Sequence, residues 1–251
     1  MPYYEYIENL VSALIFTAIF LFGGALRLPE RGHHRSLLSF GAGVSVAYVF
    51  VNLFPELESA RIVFARSTAY PSLPFRDLGV NLAAMVGFLI FYALENMVVW
   101  SKTSGGKKIG RRTGSGAGPI FWLHLLGFAV SVWLVSYLRI RNIDEGTVPL
   151  ALYTVAMGFH FLAGDYALSR EHGKLYDRVG RKVLAAASLL GWAVGTLAEL
   201  PQPGVVILFG FVAGAVIMNS MIMELPREKE GRFGSFLLGG VIYTTLILLL
   251  Q

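Results

Sequence analysis

One apolar, helix-length run, Met157 to Leu168, carries a histidine and an aspartate, His160 and Asp165, among residues suited to lipid or to a helix core. An ionisable side chain at the centre of a bilayer costs roughly 2.5 to 3.5 kcal/mol on insertion scales, so such residues are functional candidates by default. His124 and Asn52 lie deep in two other apolar runs. Neutral imidazole combined with oxygen donors suits zinc-like ions, so His124, His160, Asp165 and Asn52 together suggest a reduced metal or proton site. His160 and Asp165 are five residues apart, about 140° round an ideal helix, and therefore do not form an i, i+4 ligand pair. A shared site needs several helices. The competing reading makes His124 and His160 buried donors bonding neighbouring helices, worth about 0.6 kcal/mol each on average. On that reading Asn52 also bonds across helices, and Asp165 pairs with Arg170 near the end of its segment.

These residues must be positioned by membrane helices. The chain is 55% hydrophobic and 15% charged, with no cysteine in 251 residues, which excludes a disulfide framework and any thiolate metal site. About 20 apolar residues cross a 30 Å hydrocarbon core. That criterion predicts eight segments: Ile7 to Leu26, Leu37 to Leu57, Leu78 to Trp100, Pro119 to Leu138, Thr147 to Leu168, Val183 to Leu200, Val205 to Leu225 and Phe233 to Leu250. Gly191, Gly195 and Glu199 dilute the sixth. The first follows Glu5 and Glu8 with no Lys or Arg before it, so it is expected to span rather than to act as a cleaved signal. Residues 1–251 are thus read as one all-α membrane domain in contact with the lipid bilayer.

With the N-terminus outside, inner loops hold sixteen Lys and Arg and outer loops five, a bias that puts both termini outside the cytoplasm, in the plasma membrane. The net charge of +5 is therefore read as topogenic, with no nucleic-acid partner implied. The longest basic linker, Ser101 to Gly118, reads SKTSGGKKIGRRTGSGAG. It suits either a solvated cytoplasmic loop or a contact with anionic lipid. Gly-rich helices admit a homodimer without requiring one.

The pattern Phe-x-Ala-Gly followed twelve residues later by Pro occurs twice, at Phe40 to Pro55 and at Phe211 to Pro226. With this topology the two copies run in opposite directions, and inverted repeats are a common basis of secondary transporters. The same glycines also suit close helix packing.

The whole chain resembles the ZIP family of divalent-metal transporters. Gly43 to Glu56 is similar to the family's second-helix pattern, Gly164-Asp165-Tyr166-Ala167 to the end of its fifth-helix motif, and Phe211 to Pro226 to its seventh-helix pattern. The resemblance implies a 3+2+3 arrangement of eight helices, with helices 1–3 and 6–8 as inverted repeats and a divalent metal ion as substrate. It also implies metal ligands that this chain lacks. Where the family's fifth helix has HExPHE, the chain has Met157, Gly158, Phe159, His160, Phe161 and Leu162; Asn52 replaces a histidine, and Met223 an acid, with Glu224 one residue out of register. His124 is the nearest match to the fourth-helix ligand.

No HExxH, GxSxG or P-loop pattern supports an enzyme. The expectation is a divergent ZIP-like transporter with an altered central site, or a non-transporting protein on the same scaffold with a regulatory, assembly or lipid-binding role.

Overall fold

A computed structural model describes residues 3–24, 33–67, 76–103, 118–141, 147–223 and 232–250. Among them there is no strand, and each of the eight predicted segments falls on a helix. The helices are α1 (Tyr3–Phe22), α2 (His33–Tyr48), α3 (Phe54–Arg66), α4 (Gly79–Thr103), α5 (Pro119–Arg141), α6 (Thr147–His172), α7 (Arg181–Leu197), α8 (Gln202–Met218) and α9 (Phe233–Leu250). Among the described residues, five stretches are long and apolar enough to cross a membrane: Arg35–Arg66, Gly79–Met97, Pro119–Ile140, Gln202–Ile222 and Phe233–Leu250. The chain is an integral membrane protein. Most of the linker Ser101 to Gly118, as well as Glu224, lies outside the described residues.

The second segment runs past its predicted end at Leu57. Pro55 lacks the N–H that a regular helix would use, yet α2 continues into α3 through a π turn, Val49–Leu53, in which Phe54 N–H donates to Val49 O. Widening one turn accommodates the proline without breaking the rod. A second π turn, Asn219–Met223, extends α8, and a third, Tyr176–Gly180, precedes α7. Gly173, at φ +56°, reverses the chain between α6 and the helical run into α7, a conformation that favours glycine.

Lipid-facing and protein-facing helices separate by burial. Only 17% of α9 and 28% of α4 is buried, against 61% of the α5 span, so α5 is central and the other two are peripheral. Leu82, Met85 and Leu89 on α4, and Leu237, Val241 and Leu248 on α9, are exposed apolar side chains suited to hydrocarbon. The continuous core joins Phe16 and Phe20 of α1, Tyr48 of α2, Leu125 of α5, Met157 of α6 and Leu184 of α7. Phe16 meets Phe161 edge to face at 5.0 Å.

Glycines set the closest helix approaches. A Cβ on Gly43 would strike the backbone carbonyl of Phe236, and one on Gly239 that of Phe40, so α2 and α9 pack with backbones nearly touching. They run parallel, since Arg232, just before α9, donates to Ser36 and Ser39 in the first turns of α2. The same arrangement recurs between α8 and α4: a Cβ on Gly214 would strike the carbonyl of Ala84, and one on Gly87 that of Phe211. Gly43 and Gly214, like Phe40 and Phe211, are equivalent positions of the repeated sequence pattern. Each repeat glycine therefore does the same job against a different peripheral helix. Gly191, which dilutes the hydropathy of α7, lets that helix settle on Trp133 and Ser136 of α5.

Candidate functional site

The four sequence-derived candidates occupy different surroundings along the core. His124, in the second turn of α5 and only 3% exposed, faces the C-terminal end of α6. Its Nδ1 lies 3.1 Å from Nε2 of His172 and 3.6 Å from Oε2 of Glu171. Its Nε2 lies 3.6 Å from Oε2 of Glu95 on α4. Phe128, one turn along α5, packs edge-on against the imidazole at 5.2 Å. His124, Glu171 and His172 each offer a ligand atom, and these atoms lie within 4.8 Å of one another.

His160 stands beyond Phe128, toward the middle of the bundle. It lines a cavity of about 10 Å³ with Phe20, Phe128, Ser131, Val132, Phe161, Gly164 and Asn219. A space of this size holds about one water-sized particle, so it suits a water or a single small ion and excludes an organic solute. Asn219 begins the π turn that ends α8, and both it and His160 are buried. No carboxylate lines this cavity among the described residues.

Asp165 is engaged elsewhere. Its Oδ2 lies 2.9 Å from Arg181 Nη2, and its Oδ1 accepts a 2.8 Å hydrogen bond from the Tyr176 hydroxyl. Burial, reinforced by the Asp165 carboxylate, pushes the Tyr176 phenol upward, keeping it a proton donor. Arg181 Nε donates to Asp177 at 3.3 Å, Ser169 donates to the same carboxylate oxygen at 2.8 Å, and Arg181 Nη1 donates to the Phe20 carbonyl at 3.4 Å. The network ties together α6, α7 and the end of α1. Gly23 makes room for it, since a Cβ there would sit 2.5 Å from Asp165 Oδ2.

Asn52 lies on the π turn between α2 and α3, and its buried Oδ1 finds no hydrogen-bond donor among the described residues. Close by, Ser45 of α2 and Ser220 of the α8 π turn share a 2.9 Å hydrogen bond. Three further polar residues of the apolar runs are peripheral: Asn81 and Glu199 are exposed, and exposed Asn96 donates to the Tyr92 carbonyl one turn back.

A larger cavity of about 40 Å³ opens near the other end of α5 and α6, between Tyr48, Glu56, Arg139, Tyr153, Met157 and Val216. The Arg139 guanidinium lies 5.2 Å from the centre of the Tyr153 ring. Along α6, Tyr153, His160 and His172 thus mark three polar levels spanning about 28 Å at 1.5 Å per residue, close to the thickness of a bilayer core. Glu171 and His172 are the members that sequence reasoning missed. They lie beyond the last apolar residue of their segment, and the only signal was a Glu-His pair able to share a helix end with His124.

Compared with known protein families and with curated proteins, the chain matches none.

Proposed function

We propose that the chain is a divergent ZIP-like transporter. It moves a divalent metal ion or another small cation through an altered site between α5, α6 and α8, with both termini outside the cytoplasm of a plasma-membrane protein. The observation that carries this reading is the matched parallel packing of Gly43 and Gly239 on one side and Gly214 and Gly87 on the other. Equivalent positions of a repeat with equivalent partners are what an inverted-repeat scaffold requires, and such scaffolds place their site near the midplane between the repeats. The His160 cavity, lined by residues of α1, α5, α6 and the π turn that extends α8, supports putting the altered site there.

A second reading, a non-transporting protein on the same scaffold, is favoured by the engagement of Asp165 with Arg181 and by the lack of a carboxylate around His160. A midplane site without negative charge holds a dication poorly.

Uptake of Zn²⁺, Fe²⁺, Mn²⁺ and Cu⁺ into proteoliposomes separates the two. Transport predicts uptake above that of empty vesicles, reduced by His160→Ala. Uptake equal to that of empty vesicles for every ion supports the non-transporting protein.

A further inference from the structure

We propose that His124, His172 and Glu171 form a binding site for a single transition-metal dication of the Zn²⁺ class at the ends of α5 and α6, with Glu95 of α4 as its positioning residue. Zinc bonds to nitrogen and oxygen are about 2.0 to 2.2 Å, so adjacent ligands of a tetrahedral ion stand roughly 3.3 to 3.5 Å apart. The separations from His124 Nδ1, 3.1 Å to His172 Nε2 and 3.6 Å to Glu171 Oε2, straddle that edge length. All three ligand atoms fit within 4.8 Å, so small side-chain rotations bring them onto one ion.

Glu95 completes the arrangement from the opposite side of the ring. Its Oε2 is 3.6 Å from His124 Nε2. A carboxylate on that side favours the tautomer with the proton on Nε2, which leaves the Nδ1 lone pair for the ion, as the usual outer partner of a ligating histidine does. Two neutral imidazoles and two carboxylates also balance the charge of a dication in a place with little water. Three protein ligands leave the fourth tetrahedral position to an exchangeable water. Packing of Phe121 against His172 at 5.1 Å and of Phe128 against His124 limits how far either imidazole swings.

The site rests on these four side chains and does not depend on the transport reading. Binding to the detergent-solubilised full chain tests it directly, with Zn²⁺ titrated by calorimetry and Co²⁺ by its visible ligand-field spectrum. The wild-type protein is expected to take up one ion per chain, with a tetrahedral Co²⁺ spectrum. His172→Ala and Glu171→Gln, which change partly exposed residues, should each weaken binding by more than about tenfold, and Glu95→Gln by about 10- to 100-fold. Substituting both His33 and His34 with Ala should leave affinity unchanged. The proposal is overturned if wild-type protein that elutes as a single folded species binds no Zn²⁺, or if His172→Ala binds it as tightly as wild type.

Discussion

Asp165 and Arg181 form an ion pair at 2.9 Å with side chains only 2% and 7% exposed, so a carboxylate that looks like a metal ligand in sequence is held by a guanidinium in the fold. A buried pair is weak evidence of net stabilisation, but losing one partner leaves an uncompensated buried charge. Arg181→Ala is therefore expected to destabilise the protein by about 3 to 5 kcal/mol, while replacing both residues with apolar ones, Asp165→Leu with Arg181→Met, recovers much of the loss. Tyr176→Phe, which removes only a hydrogen bond to the carboxylate, should cost about 1.5 to 3 kcal/mol. Thermal unfolding of the protein in one detergent orders these variants, and an Arg181→Ala midpoint equal to wild type rules out the role assigned to the pair.

The repeat glycines make a paired prediction. Gly43→Ala and Gly214→Ala each place a methyl against a backbone carbonyl that cannot move independently of its helix. Each should cost about 1 to 3 kcal/mol, and the two costs should be alike because the contacts are alike. Gly234→Ala, where a Cβ meets nothing within 4 Å, should change stability by less than about 0.5 kcal/mol. Equal midpoints for all three variants would contradict the close approaches.

Ser45 and Ser220 couple the two repeat-bearing helices through one buried hydrogen bond. A double-mutant cycle with Ser45→Ala and Ser220→Ala should give a coupling of about 0.6 kcal/mol, the usual size for a bond between membrane helices. Additive effects of the two substitutions would show that the hydroxyls act separately.

Much of the scaffold was legible in the sequence because a bilayer imposes one length on every spanning element. The ends were less so. The second segment, expected to end at Leu57, continues to Arg66, with the widened turn at Val49–Leu53 accommodating Pro55 inside the run. The site was legible one residue at a time. His124 stands out because an imidazole in an apolar run is costly, whereas Glu171 and His172 follow the run and resemble ordinary interfacial residues. Arg170 was one partner considered for Asp165; Arg181 also reaches it because Gly173 turns the chain back at the end of α6, and the direction of a turn is not written in hydropathy. The Phe-x-Ala-Gly pattern announced two similar helices, but not that each presses its glycine into a different peripheral neighbour.

The π turn that accommodates Pro55 gives the second helix unusual length. From His33 to Arg66 the rod is about 50 Å long at 1.5 Å per residue, some 20 Å more than a hydrocarbon core. The surplus is the α3 end, where Glu58 grips Arg61 with both carboxylate oxygens at an exposed surface and Phe64 packs on Val80 beneath it. That end is continuous, through the π turn, with the helix that holds Gly43 and Ser45. One unbroken run of helix therefore joins the exposed Glu58–Arg61 pair to the buried contacts of Gly43 with α9 and of Ser45 with Ser220.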